Sequence, residues 1–315
     1  MLTSKTDCAL FGASGTMGKG IALLLLEKTE VLLTVIDQKP VYLRDDLRSV
    51  AERNIISLRH QYREREDLVS NQEIIEAEVN RKLTRVHFAS KLYHADLIFE
   101  AISEDIEVKK QLFSEYRDLG ALFLSNTSSI PIHVLNEGME DQVIGFHFYN
   151  PPLKQKLIEV VATEKRLPFV LDLAKKLGKN PVFANDVAGF IGNGHLIREL
   201  TFALSLDQDP SLINSVTCRL LKRPMGIFDL ARWVGIDVLV SIGTIMSRYL
   251  GESLHLEKLR ELPKLHEAKE LDESLAKMFL EESRRIQNLL VTTGAANSLD
   301  DVQTVLKEGF KYGIV

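Results

Sequence analysis

The chain has 315 residues, 45% apolar and 26% charged, enough apolar material for about two packed domains. A net charge of −5 provides no electrostatic footprint for nucleic acid, and no nucleic-acid-binding motif is present. The two cysteines, Cys8 and Cys218, lack CxxC partners, so a disulfide framework is not expected and a reducing, cytoplasmic compartment is.

Taken in chain order, short apolar runs alternate with helical patterns as far as about residue 185. Strands are predicted at 7–12, 31–36, 97–100, 121–124, 143–148, 157–162 and 181–184, with helices at 16–28, 104–119 and 166–178. Strands separated by helix-length segments imply βαβ units and a mostly parallel sheet. The first strand begins at about Asp7, leaving no room for a signal peptide, and no apolar run approaches the roughly 20 residues that cross a bilayer. The stretch 41–83 is helical in pattern with nearly balanced acids and bases, which reads as a solvated helical excursion. After Asn185, "DVAGFIGNGHLIRELTFALSL" reads as a long helix entered through Gly189. The remainder is helical in pattern, with turn signals at Asp209-Pro210, Arg223-Pro224, Gly251 and Gly294. The expected organisation is therefore a doubly wound α/β domain over 1–187 and an all-α domain over 188–315. Within the latter, 211–228 and 298–315 align without gaps with five identities, so the chain is expected to end inside a second repeat copy.

"ALFGASGTMGKGIALLLL" at 9–26 passes from strand to helix through glycines. Gly12, Gly15 and Gly18 differ from G-x-G-x-x-G by one residue, Ser14, between the first two. A dinucleotide loop needs a tight turn, close backbone approach to the pyrophosphate and free N–H groups at a helix N-terminus. Gly12 is expected to supply the turn, Gly15 the close approach and Gly18 the helix packing, with Ser14 bulging and Thr16 and Met17 opening the helix. Asp37 ends the second apolar strand nineteen residues after Gly18, where a carboxylate accepts ribose hydroxyls and repels a 2′-phosphate, favouring NAD over NADP. The competing reading, a glycine cluster that merely turns the chain, leaves the position of Asp37 unexplained.

Polar residues cluster where three further strands end. "ALFLSNTSS" runs into Ser125–Ser129, "LIFEAISED" into Glu100, and "GFHFYNPP" carries His147 and Asn150. Glu159 interrupts the apolar strand "LIEVVA", a costly position for a carboxylate without a partner. If 143–149 and 157–162 pair antiparallel, His147 meets Glu159, either as a general base oriented by its acid or as a structural His–Glu pair. No histidine spacing fits a metal site, and none is expected.

These motifs resemble the L-3-hydroxyacyl-CoA dehydrogenase family, which includes 3-hydroxybutyryl-CoA dehydrogenase. The resemblance runs through "GTMGKGIA", "EAISEDIEVKK", "SNTSSIPI", "GFHFYNPP", "LIEVV", "DVAGFIGN" and "RPMGIFDLARWVGID", over roughly residues 7–240. It implies a Rossmann-type domain with a projecting helical hairpin at 41–83 beside coenzyme A, followed by an all-α domain through which a homodimer forms. The implied activity is reversible NAD-dependent oxidation of an L-3-hydroxyacyl-CoA to the 3-ketoacyl-CoA in fatty-acid metabolism. His147 is the implied acid/base, Glu159 its partner, and Ser128 and Asn193 position the reacting group. Asn150 is an implied substrate contact, with Glu104 and Lys109 at the cofactor. Arg44/Arg48 and Arg59/Arg63, each pair four apart, are either contacts for CoA phosphates or a solvated helix face. Two other readings stand beside this one: a dehydrogenase of a non-CoA hydroxy acid or sugar acid, and a non-catalytic NAD-binding homologue. The chain departs from the family pattern in its lengthened glycine loop and at Gly194, where Arg is usual, so a looser entrance to the second domain is expected.

Overall fold

The computed structural model describes residues 6–37, 40–58 and 72–314. Eight strands form one sheet in the order β3-β2-β1-β4-β5-β6-β7-β8. They are β1 Asp7–Phe11, β2 Leu32–Ile36, β3 Val86–Ala89, β4 Leu97–Glu100, β5 Leu122–Ser125, β6 Val143–Phe148, β7 Leu157–Val161 and β8 Asn180–Phe183. The predicted Rossmann-type α/β class is the one observed. One strand, β3, was not predicted. It is four residues long and lies at the sheet edge, and its half-exposed "VHFA" shows no apolar run.

The chain packs as two compact units. The first comprises Met1–Asn126, Gly138–Lys156 and Ala162–Asn180, and the second Thr127–Glu137, Leu157–Val161 and Pro181–Val315. In the first, β1 pairs in parallel with β2 on one side and β4 on the other, with Leu10 opposite both Val35 and Phe99. β2–β3, β4–β5 and β5–β6 are parallel too. The carboxyl ends of these strands therefore share one edge, and the strand order switches direction between β1 and β4, where open α/β sheets bind ligands. Buried Leu10, Val35, Ile98, Phe123 and Ile144 form the sheet core. Helix Thr16–Lys28 covers it with an almost wholly apolar face, Ile21 to Leu26.

The excursion contains helices Pro40–Leu58 and Gln72–Leu83, linked by an Arg48 to Asn80 hydrogen bond of 2.6 Å. Their charges are largely solvated or paired, as for Lys82, which meets Glu27 and Glu78 at 2.8 and 2.9 Å.

The second unit is mainly helical, through Gly192–Ser205, Pro210–Arg219, Ile227–Val234, Ile236–Leu250, Glu273–Thr292 and Leu299–Thr304. The turn expected at Asp209-Pro210 falls at the break between two helices and opens the second: the Asp209 carboxylate accepts from Ser211 N, and Pro occupies a position needing no donor. Residues 251–272, expected to be helical, contain only the 3-10 turn Glu257–Glu261, because Gly251 caps the preceding helix at φ +67°. Beside the apolar core lies a buried ionic knot. Arg223 donates both terminal nitrogens to Glu199, at 2.6 and 2.9 Å, and its guanidinium stacks 3.9 Å from the Tyr312 ring centre. The Tyr312 hydroxyl also donates to Glu199, at 3.2 Å. Burial would raise the Glu199 carboxyl, but Arg223 outweighs it and holds the group below the ordinary range. Burial pushes the neighbouring His195 down to about 4, leaving it neutral, with Nε2 3.0 Å from Ser283 Oγ.

Candidate active site

The lengthened glycine loop still delivers a free helix N-terminus. Gly12 turns at φ +82°, and a Cβ there would meet Ala101 O at 2.3 Å. Gly18 packs still more tightly, since its Cβ would lie 2.1 Å from Gly12 O. Gly15 is different: it is the exposed N-cap residue, and only Gly12 O, at 3.4 Å, stands near the place of a Cβ. Thr16 is exposed and Met17 half-buried on the first turn. No side chain caps this turn and no acid lies in it, so its N–H groups and partial positive charge face outward, which suits a pyrophosphate. The extra residue, Ser14, is exposed, and its N–H donates to Asp37 Oδ2 at 2.9 Å. The acid expected at the ribose thus also ties down the bulge. These residues fit NAD.

At the ends of β4 and β5, side chains knit the same edge. Glu100 is fully buried and accepts from Lys109 Nζ and Ser125 Oγ, each at 2.5 Å, and from Ile102 N at 2.8 Å. Burial would depress Lys109, but Glu100 and Glu104 outweigh it and hold the ammonium above the usual lysine range. Lys109, expected at the cofactor, is 1% exposed and turns inward to Glu100, while half-buried Glu104 lies 3.4 Å from it. Asn126 Oδ1 accepts from Phe148 N at 2.9 Å, fixing the backbone directly after His147. His147 itself is half-buried on β6, its ring 5.0 Å from that of Tyr149.

Asn150 lies beside a cleft of about 520 Å³ in the first unit, whose walls include Ser14, Thr16, Val50 and Leu153 and whose cations are Lys19, Arg53 and Lys154. Gly20 lets Pro152 close this cleft, since a Cβ there would sit 2.6 Å from the proline ring. Lys179 secures the same loop from below by donating to Pro152 O and Gln155 O. The arginines expected here fall elsewhere: Arg44 is exposed, Arg48 bonds Asn80, and neither lines the cleft. Arg59 and Arg63 lie outside the described residues.

In the second unit, Ser128, Glu159 and Asn193 converge on the G-F-I-G-N turn. Gly189 and Phe190 both adopt left-handed backbone, at φ +84° and +48°. For a buried phenylalanine this costs on the order of 1–2 kcal/mol and marks a residue held by its surroundings. The turn aims Ile191 N and Gly192 N at Glu159 Oε1, at 2.9 and 3.0 Å, which offsets the cost of burying that carboxylate. Gly189 N donates to Ser129 O at 3.0 Å, and Asn193 Nδ2 to Ser128 O at 3.0 Å. Within residues 127–130 only Ser128 is not buried. Gly194 does not loosen the entrance: a Cβ there would meet Leu290 at 2.8 Å, so the missing side chain allows tight helix packing. A guanidinium is supplied one turn later, where Arg198 donates to Gly194 O at 2.6 Å.

Glu100, Asn126 and Arg53 escaped the list of expected site residues. Glu100 carried the signal that exposed Glu159, an acid ending or interrupting an apolar strand. Asn126 stood in the polar cluster that ends its strand but without a role of its own, and Arg53 carried no signal, because their partners are distant in sequence. Among the described residues, no group of His, Cys, Asp and Glu is placed to hold a metal ion.

A family model described as "3-hydroxyacyl-CoA dehydrogenase, NAD binding domain" matches residues 7–187. Human mitochondrial hydroxyacyl-coenzyme A dehydrogenase is 32% identical over 245 residues, 71% of this chain and 74% of the relative. Among solved structures, 3-hydroxybutyryl-CoA dehydrogenase from Escherichia coli aligns with a TM-score of 0.76 at 18% identity, over 98% of this chain and 89% of that one. FadB2 of M. tuberculosis aligns with a TM-score of 0.66 at 27% identity, over 81% of this chain and 92% of that one. With its glycine loop, its strand-end cluster and the G-F-I-G-N turn in place, the chain belongs to the 3-hydroxyacyl-CoA dehydrogenase family.

Proposed function

We propose that this chain is an NAD-dependent L-3-hydroxyacyl-CoA dehydrogenase of fatty-acid metabolism, reversible between the 3-hydroxyacyl and 3-ketoacyl thioesters. The observation that carries this reading is the convergence of Ser128, Glu159 and Asn193 on one strained turn, in a chain of this family that also bears His147 at a strand end. His147 takes the proton of the 3-hydroxyl, Glu159 orients it, and Ser128 and Asn193 hold the reacting oxygen. Bound NAD supplies the acceptor for the hydride that leaves C3. The exposed N-terminus at Gly15 and the Asp37 carboxylate hold the cofactor, with Gly12, Thr16, Met17 and Gly18 shaping the loop and Glu104 and Lys109 supporting its edge.

An acyl-CoA substrate is supported by the cleft, where Lys19, Arg53 and Lys154 stand near apolar Val50 and Leu153 as a nucleotide with phosphates requires. Arg53 therefore takes the place of Arg44 and Arg48 as the candidate phosphate contact among the described residues of the excursion. Cytoplasmic residence is supported by two free cysteines. A homodimer through the second unit is supported by its exposed apolar residues Trp233 and Val238.

The test is oxidation of NADH by acetoacetyl-CoA, followed by competition with free CoA. Turnover inhibited by CoA is expected. Turnover of hydroxy acids indifferent to CoA would replace this reading with a non-CoA dehydrogenase, and NADH binding without turnover of any thioester would replace it with a non-catalytic homologue. Light scattering on the eluting peak tests the dimer.

A further inference from the structure

The segment 127–133 has little regular structure of its own, yet it carries the one substrate-side serine that is not buried. Its front end is stabilised internally, since Thr127 Oγ1 accepts from Ile130 N at 3.1 Å. Its far end is held by a single side chain. The Asp186 carboxylate accepts from Ile132 N at 2.5 Å and from His133 N at 2.7 Å, and His133 Nδ1 lies 2.9 Å from the same Oδ2. Asp186 stands three residues before Gly189, whose N–H takes Ser129 O, and seven before Asn193, whose amide takes Ser128 O. One short stretch, 186–193, thus grips the serine segment at three successive points. Only the grip of Asp186 uses a charged acceptor, which makes its hydrogen bonds the strongest of the set.

We propose that Asp186 is a positioning residue for the dehydrogenase reaction: by clamping Ile132 and His133 it sets the distance between Ser128 and Asn193 that the reacting oxygen requires. The proposal rests on the functional reading above. Its carboxylate acts through two backbone donors and the His133 ring, so its role is to hold the segment in place. Because the Asp186 side chain is one-third exposed and the His133 ring nearly two-thirds, the clamp can be broken without opening the core.

The experiment compares the unsubstituted protein with Asp186→Ala, Asp186→Asn and His133→Ala, measuring acetoacetyl-CoA turnover, NADH affinity and amide exchange of residues 128–130, 132 and 133. For Asp186→Ala, kcat is expected to fall on the order of 100-fold, the cost of an ångström-scale misplacement. KM and NADH Kd should hold, with faster exchange confined to the segment. Asp186→Asn, which keeps one acceptor, is expected to recover most of the loss, and His133→Ala to retain most of the activity because both backbone donors remain. Unchanged kcat in Asp186→Ala, or a fall matched by equal loss of NADH binding and melting temperature, would overturn the proposal. If the wild-type protein turns over no thioester, the functional reading fails and with it the kinetic role. Exchange then decides separately whether Asp186 holds the segment.

Discussion

The two units hold their candidate residues by different means. In the first, nearly every feature follows from strand order: parallel strands end on one edge, and the residue after each strand arrives there without further instruction. Gly12, Asp37, Ala101 and Asn126 are neighbours for that reason. In the second unit no sheet edge does this work. Ser128 and Asn193 are 65 residues apart, Glu159 and Ile191 are 32 apart, and Asp186 and Ile132 are 54 apart, each joined by a side chain to backbone or amide. A site inherited from topology tolerates change in its side chains but not in its turns. A site stitched by side chains has the opposite sensitivity.

The largest effect expected is at His147. His147→Gln should lower kcat on the order of 1,000-fold, the range of a lost general base, with NADH binding retained. Stopped-flow turnover and NADH fluorescence check it; loss of both together would show that β6 belongs to the cofactor site rather than to catalysis.

Next comes the ionic knot. Arg223→Met leaves Glu199 buried without its counter-ion and should destabilise the second unit by about 3–5 kcal/mol, read by urea unfolding. The first unit's NADH affinity should be unaffected in native buffer. Acid attacks the same region. His195 has a folded value near 4, below its ordinary 6.5, so the unfolded chain binds the extra proton between these values. Stability is therefore complete above about pH 6.5 and falls as pH drops toward 4, by about 3 kcal/mol, which thermal melts across that window would measure.

The glycine loop sharpens the contrast further. Gly18→Ala should abolish NADH binding, because the new methyl runs into the Gly12 carbonyl and the loop must move. Gly15→Ala meets no such obstacle in the protein, so its melting temperature should hold while NADH affinity falls, as the methyl stands where the cofactor approaches. Equal effects of the two substitutions would mean that the loop does not face the pyrophosphate.

The smallest effect is expected in the cleft. Arg53→Ala should raise KM for acyl-CoA about fivefold, roughly the 1 kcal/mol of an exposed charge contact, and leave NADH affinity alone. An unchanged KM would return the phosphate contact to other residues of the excursion.

The sequence by itself determined the strand–glycine–helix opening, the acid closing β2 and the alternation behind a parallel sheet, because each depends on residues close along the chain. It also exposed Glu159, since a carboxylate within "LIEVV" violates the apolar pattern whatever the fold. It was silent on β3, whose half-exposed edge leaves no apolar run, and it singled out Arg44 and Arg48 rather than Arg53, because helical spacing names a face without saying what that face looks toward. Tertiary structure decided the rest. It turned Lys109 inward to Glu100, explained Gly194 by the approach of Leu290, and gave Ser14 a partner in Asp37. Above all it gave Asp186 a role that no local pattern contains, because a carboxylate becomes a clamp only when folding brings distant N–H groups within its reach.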